Sequence, residues 1–173
     1  MLEPRRILLP IDFTEESLLA LDWAIMIAKK EKGVTLYFLY VLPQDVGALP
    51  DRFNVENFYE PDIVSRKLQA DFLRASEDAA RKSLETWQKK VPPPLSVKLV
   101  ITRGNITQES VRLCEEEQID LIVITTHGRR GISRFLEGSV SEQISRLAPC
   151  PVLVLHLNKS TQRQAAHPGT KAS

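Results

Sequence analysis

Arg6-Ile7-Leu8-Leu9-Pro10-Ile11-Asp12-Phe13-Thr14-Glu15-Glu16 is the stretch on which the fold turns. Residues 6–11 are almost wholly apolar. Such a run suits a strand covered on both faces in a parallel sheet, not the alternating pattern of a strand with one wet face. Asp12 ends it. Thr14 is placed to cap a helix, with Glu15 and Glu16 at the positive end of its dipole. That helix is predicted to run to about Lys30. Leu18, Leu21, Ile25 and Ala28 share one face, and Leu19, Trp23, Met26 and Ile27 widen it, so substantial burial is expected.

Outward from there the same unit recurs. Gly33 ends the helix, and Val34 to Val41 is a second strand, rich in β-branched and aromatic residues. Residues 42–66 hold Pro43, Gly47, Pro50 and Pro61 with no steady period. A connection this long in a compact domain is usually functional, partly ordered or an interface element. Residues 67–90 predict a long helix whose buried stripe is Leu68, Phe72, Ala75, Ala79 and Trp87, stopped by Pro92-Pro93-Pro94. Leu95 to Thr102 is a third strand. Gly104 and Asn105 follow, and Asn105 with Gln108 resembles a capping box opening a helix over 106–117. Ile119 to Ile124 is a fourth strand, a loop covers Thr125 to Gly138, and a fourth helix spans about 139–147 up to Pro149. Pro151 to Leu155 is the fifth strand.

Strands alternating with helices predict one open, mostly parallel five-stranded sheet with helices on both faces, Rossmann-like, built by right-handed crossovers. Residues 1–157 form this domain, and residues 158–173 are expected to be a flexible polar tail. Ligands of such sheets bind beyond the carboxyl ends of the strands, at the switch point. Asp12 ends the first strand and Thr125–Gly128 ends the fourth. If those two strands are neighbours, both groups share one crevice.

A chain of 173 residues with 43% apolar and 26% charged content fits one globular domain with a proper core. The net charge of +1, from 23 basic and 22 acidic residues, gives no reason to expect nucleic acid or an anionic membrane as partner. No apolar run reaches the roughly 18–20 residues that cross a bilayer. The first residues lack the apolar core and cleavage site of a signal peptide, so a cytoplasmic location is expected. The cysteines, Cys114 and Cys150, are expected to be reduced and structural.

The chemistry concentrates at Ile124-Thr125-Thr126-His127-Gly128-Arg129-Arg130-Gly131-Ile132-Ser133-Arg134-Phe135-Leu136-Glu137-Gly138-Ser139-Val140-Ser141. It contains neither GxxxxGK[ST] nor GxGxxG. It does have the parts of an anion site. Gly128 and Gly138 allow close backbone approach, and Gly138-Ser139 opens a helix whose first amides have no internal partner. Free amides and the dipole attract phosphate there. Ser139 and Ser141 add hydroxyls, and Arg129, Arg130 and Arg134 add positive charge. Each part has a plain alternative: a glycine before a serine-capped helix is common, loop arginines are usually solvated, and Asp12 could be a turn residue held by the next helix. Their conjunction at carboxyl ends of strands favours a site.

Gly128, nine residues, then Gly138-Ser139 resembles the later part of the G-2x-G-9x-G-[ST] pattern of the universal stress protein ATP site. Ile7 to Thr14, Gly104-Asn105 and Pro149 to Val154 are also similar to segments of that family, and the resemblance runs from about residue 4 to 156. It implies an adenine-nucleotide α-hydrolase-like fold that binds ATP, or ADP or AMP, with Mg²⁺ carried on phosphate oxygens and waters. It implies that Asp12 bonds ribose or adenine, that Pro10, Ile11 and Val41 line the base, and that Ile124 and Thr125 sit beside the ribose. Gly128, Gly138, Ser139, Val140 and Ser141 then hold phosphates, with Arg129 or Arg130 at the terminal one. It also implies a homodimer through the apolar edge strand Val152 to Leu155. One departure stands out. Thr125 occupies the first glycine position, where its side chain narrows the site or its hydroxyl donates to the ligand.

His127 beside the phosphates is either a proton donor or a structural loop residue, and the three histidines lack metal-ligand spacing. No base for in-line attack on a γ-phosphate is evident, so binding with at most slow hydrolysis is expected. Two other classes compete with a nucleotide-binding stress or signalling module. One is a nucleotidyltransferase or ATP-pyrophosphatase, whose HxGH or SGGxDS is absent after the first strand. The other is a nucleotide-free dimeric interaction module using residues 42–66.

Overall fold

A computed structural model describes residues 3–42, 63–126 and 140–156, with side chains described from residue 70 onward in the second helix. The elements are β1 (Arg6–Pro10), α1 (Glu15–Ala28), β2 (Thr35–Leu42), α2 (Ile63–Gln88), β3 (Ser96–Arg103), α3 (Ile106–Glu116), β4 (Leu121–Thr126), α4 (Val140–Leu147) and β5 (Val152–His156). The five strands form one sheet in the order β3-β2-β1-β4-β5, and every pairing is parallel. This is the open α/β sheet expected from the alternation of elements.

The apolar runs are explained by two cores, one on each face. Along β1, Ile7 and Leu9 join a cluster with Ala20, Leu21, Ala24 and Ala28 of α1 and Leu84 and Trp87 of α2. Leu8, between them, joins the opposite cluster with Leu113 of α3 and Ile144 of α4. Successive strand residues point to opposite faces, so a strand covered on both sides must be apolar throughout. Ile7, Leu8 and Leu9 are all 0% exposed.

The helix starts follow from their caps. Thr14 accepts a bond from Ser17 N, and Asn105 Oδ1 accepts from Thr107 N and Gln108 N at 2.9 and 3.2 Å. Gly104, between β3 and that cap, has φ +136°, a conformation open to glycine and strained for other residues. β4 begins two residues later than the apolar run suggested. Asp120 instead uses its carboxylate to accept the amides of Arg5 and Arg6, both at 2.9 Å, and so ties the entry of β1 to that of β4.

The buried stripe of α2 differs from expectation. Phe72 is 53% exposed, and Ala75 and Ala79 are exposed too; Leu68 lies outside the described side chains. The stripe that packs is Ala80, Leu84 and Trp87. Two interleaved helical stripes both end at Trp87. The one that includes Leu84 is the one packed: Leu84 is 0% exposed and joins the sheet-facing cluster with Trp87, whose ring meets Phe13 edge-on with centroids 5.8 Å apart.

Electrostatics tie α3 to β3. Glu109 accepts from Arg112 Nη2 at 2.6 Å and from Thr102 Oγ1 at 2.5 Å. The Arg112 guanidinium holds the Glu109 carboxyl below the ordinary carboxylate range; burial opposes this and the Thr102 hydroxyl assists it. A depressed carboxyl contributes stability that is present above its unfolded pKa and is lost as pH falls through the folded value. Thermal unfolding should therefore move to lower temperature as pH falls below about 4. Glu109→Gln should shrink that acid slope while lowering Tm at neutral pH. An unchanged slope in the variant would show that Glu109 plays no part in acid unfolding.

Candidate functional site

β1 and β4 are direct neighbours, with Ile7 opposite Leu121 and Leu8 opposite Ile122. The chain winds from β1 through β2 to β3 on one side, then crosses back to β4 and β5 on the other. Their carboxyl ends therefore diverge into a crevice, the place where open α/β sheets bind ligands. A cavity of about 340 Å³ lies there. Its lining combines the ends of β1 (Pro10, Ile11, Asp12), β2 (Tyr40, Val41) and β4 (Ile124, Thr125) with Ser17, Ile106 and Val140 from the starts of α1, α3 and α4. That volume lies at the lower end of the range for small-molecule sites.

Asp12 is held where it stands. Its Oδ1 accepts from Thr14 N at 3.1 Å, Thr14 Oγ1 at 2.6 Å and Ser17 Oγ at 2.5 Å. The backbone amide of Asp12 donates to Ser17 Oγ at 3.4 Å. Asp12 is thus both a turn residue fastened to the start of α1 and a wall of the cavity. Phe13 beside it has φ 62°, a left-handed conformation that is strained for a bulky residue. Its ring packs against Tyr40 at a tilt of 35°, with centroids 4.7 Å apart, and meets Trp87 edge-on at 5.8 Å. Those contacts hold the sharp turn that brings Asp12 over the strand ends.

The remaining walls are mainly apolar: Ile11, Val41, Ile106 and Ile124. Thr125 is 8% exposed and sits in β4 opposite Leu155 of β5. Val140, the first residue of α4, is 42% exposed and lines the mouth. Thr107 Oγ1 donates to Gln143 Oε1 at 3.2 Å and so joins the first turns of α3 and α4.

Of the residues singled out from sequence, Pro10, Ile11, Asp12, Val41, Ile124, Thr125 and Val140 meet around this cavity. Ser141 is buried in the first turn of α4 and is not part of the lining; its carbonyl accepts from Ser145 Oγ at 2.7 Å. Gly128, Arg129, Arg130, Gly138 and Ser139, like His127 and Arg134, lie outside the described residues, as does most of the 42–66 connection. Ser17, Tyr40 and Ile106 also line the cavity and were not expected. Ile106 could have been found, since it follows the Asn105 cap at the carboxyl end of β3. Among the described residues, no group of three or more His, Cys, Asp or Glu is arranged to hold a metal ion. None of the described helices is long and apolar enough to cross a membrane.

A parallel sheet with helices on both faces and a cleft where the strand order reverses defines a Rossmann-like α/β protein. The chain belongs to the universal stress protein family, whose model matches residues 3–156. Universal stress protein MJ0531 of Methanocaldococcus jannaschii is 33% identical over 154 residues, covering 87% of this chain and 81% of that protein. The solved structure of protein MJ0577, from the same organism, superposes with a TM-score of 0.69 at 24% identity, covering 92% of this chain and 99% of that one. A universal stress protein solved in complex with cAMP superposes with a TM-score of 0.55 at 20% identity, covering 90% and 99%. These likenesses to solved structures concern the fold.

Proposed function

We propose that this chain binds an adenine nucleotide, ATP foremost, in the cleft between β1 and β4, and acts in the cytoplasm as a nucleotide-binding module in stress response or signalling, with at most slow hydrolysis. The observation that carries this is the meeting, around one 340 Å³ cavity, of a carboxylate at the end of β1 with the first residue of α4. The chemistry fits the ligand. Ile11, Val41, Ile106 and Ile124 offer an apolar slot for a base, and Asp12 offers acceptors for ribose hydroxyls. Gly138-Ser139, immediately before α4, supplies phosphate-binding amides and a hydroxyl on this assignment, with Gly128, Val140, Ser141 and Arg129 or Arg130 assisting. Mg²⁺ would ride on phosphate oxygens and waters. The relative solved with cAMP supports an adenine ligand in this fold.

Denaturing the purified protein and identifying the released small molecule by mass tests the proposal directly. An adenine nucleotide is expected. Gly138→Val combined with Ser139→Ala should abolish uptake, and unchanged affinity in that double variant would overturn the assignment.

Thr125 offers a finer test. Thr125→Gly removes the side chain at the motif's glycine position and should tighten nucleotide binding several-fold in calorimetric titration. Glycine within a strand destabilises by about 0.5–1 kcal/mol, so Tm should fall by a few degrees. Thr125→Val keeps the shape and should bind as the parent does. A loss of affinity in the valine variant would assign the hydroxyl, not the bulk, as the important feature.

β5 stands at one edge of the sheet, and its residues Val152 to Leu155 are only partly buried. A homodimer formed through this edge is part of the same proposal. A monomer of about 20 kDa by size exclusion at micromolar concentration would count against it.

A further inference from the structure

Cys114 and Cys150 come from distant parts of the chain, yet their sulfurs stand 3.8 Å apart. Cys114 lies in α3 and is 2% exposed, while Cys150 sits between α4 and β5, partly open, flanked by Pro149 and Pro151. Both are free thiols. Both belong to the cluster on the α3 and α4 face, Cys150 at its margin. We propose that these two cysteines form a modification site at which a peroxide makes a reversible intramolecular disulfide, fastening α3 to the turn that follows α4.

A disulfide needs its sulfurs at about 2.05 Å, with Cβ atoms about 3.8 Å apart. The remaining approach is a side-chain rotation at Cys150, which is only partly buried. The two residues differ in the way such a pair requires. The shared S–H···S bond lowers the Cys150 thiol and raises that of Cys114, and burial adds to the rise at Cys114. The more exposed sulfur is therefore the one that becomes a thiolate and meets the oxidant, while the buried one resolves the product.

The steps balance. Cys150 gives its proton to solvent, and its thiolate attacks one peroxide oxygen. The O–O bond breaks, hydroxide leaves and is protonated to water, and Cys150 becomes a sulfenic acid. The Cys114 sulfur then attacks the Cys150 sulfur. An S–S bond forms, the S–O bond breaks, and the departing hydroxide takes the Cys114 proton as a second water. The two thiols lose two hydrogens and two electrons, and one peroxide becomes two waters. The bond joins α3 to the turn that follows α4, and the first residues of these two helices, Ile106 and Val140, line the cavity. Neither cysteine lines it, and the readouts below are taken on the chain without nucleotide.

The full chain, first reduced, is treated with a small excess of hydrogen peroxide and weighed intact. The expected product is a monomer lighter by two hydrogen atoms, with no titratable thiol under denaturing conditions. A peptide linking Cys114 to Cys150 should be recovered, and a dithiol reductant should reverse the change. The oxidised form should unfold at a temperature higher by roughly 5–10 °C. Cys114→Ala should stop at a sulfenic acid on Cys150, trapped by a carbon nucleophile, whereas Cys150→Ser should keep Cys114 as a thiol at the same dose. Retention of both thiols in the parent chain, oxygen addition without cross-linking, or disulfides only between chains would overturn the proposal.

Discussion

Asp12→Asn is expected to weaken adenine nucleotide binding by roughly 10–100-fold while leaving the fold almost untouched, because Asp12 does two separable things. Its Oδ1 accepts three bonds that fasten the β1–α1 turn, from Thr14 N, Thr14 Oγ1 and Ser17 Oγ. An asparagine carbonyl can accept all three. It cannot also offer a second acceptor oxygen to a ribose, because an amide NH₂ takes that place. A hydroxyl that donates to a carboxylate on the proposed assignment would then face a donor. Tm should stay within about 3 °C of the parent. Asp12→Ala removes both functions. Ser17, 5% exposed, loses its acceptor, and the left-handed Phe13 loses the anchor beside it. Leaving a buried hydroxyl unpaired costs about 1–3 kcal/mol, so Tm should fall by roughly 4–8 °C along with the affinity. Calorimetric titration and a melt on both variants separate the two roles. Equal nucleotide affinity in parent and asparagine variant would show that the carboxylate serves the turn alone.

The parts of this molecule that could be foreseen are those governed by neighbours in the chain. Residues 7–9 announce a strand covered on both faces because every side chain there must meet a core, and Ile7, Leu8 and Leu9 do so alternately. Thr14 and Asn105 announce helix starts because a cap bonds only two or three residues ahead. What could not be foreseen depends on contacts across the sheet. The crevice required β1 beside β4, and adjacency of strands more than a hundred residues apart is set by the whole packing. Phe13 gives no local sign of a positive φ; its conformation is held by Tyr40 and Trp87, which reach it from β2 and α2. The facing of α2 was read wrongly for the same reason: the spacing through Phe72, Ala75 and Ala79 is helical, yet the sheet takes up Ala80 and Leu84 with Trp87. The nearness of Cys114 and Cys150 is likewise a property of the fold, with nothing in their spacing to suggest it.

That choice of stripe leads to the largest expected loss of stability. Phe38 lies in β2, 0% exposed, and heads the fully buried side chains by volume among the described residues. It pairs laterally with Leu9 of β1 and Leu99 of β3, and it shares its core with Leu21 of α1 and with Leu84 and Trp87 of α2. Truncation to alanine removes the ring from water-free packing and leaves a cavity that strands bonded on both sides cannot close. The expected cost is about 3–5 kcal/mol, a large part of the roughly 5–15 kcal/mol that holds a domain folded. Tm should fall by roughly 10–15 °C, and the urea midpoint should fall with it at an unchanged slope. Phe72→Ala removes an identical ring from the stripe that the sequence alone favoured. At 53% exposure, Phe72 should lose no more than about 0.5 kcal/mol. The pair is decisive because the chemistry of the substitution is the same and only the surroundings differ. If the two variants unfolded at the same urea concentration, α2 would be turned the other way against the sheet. Leu84 would then face water in place of Phe72.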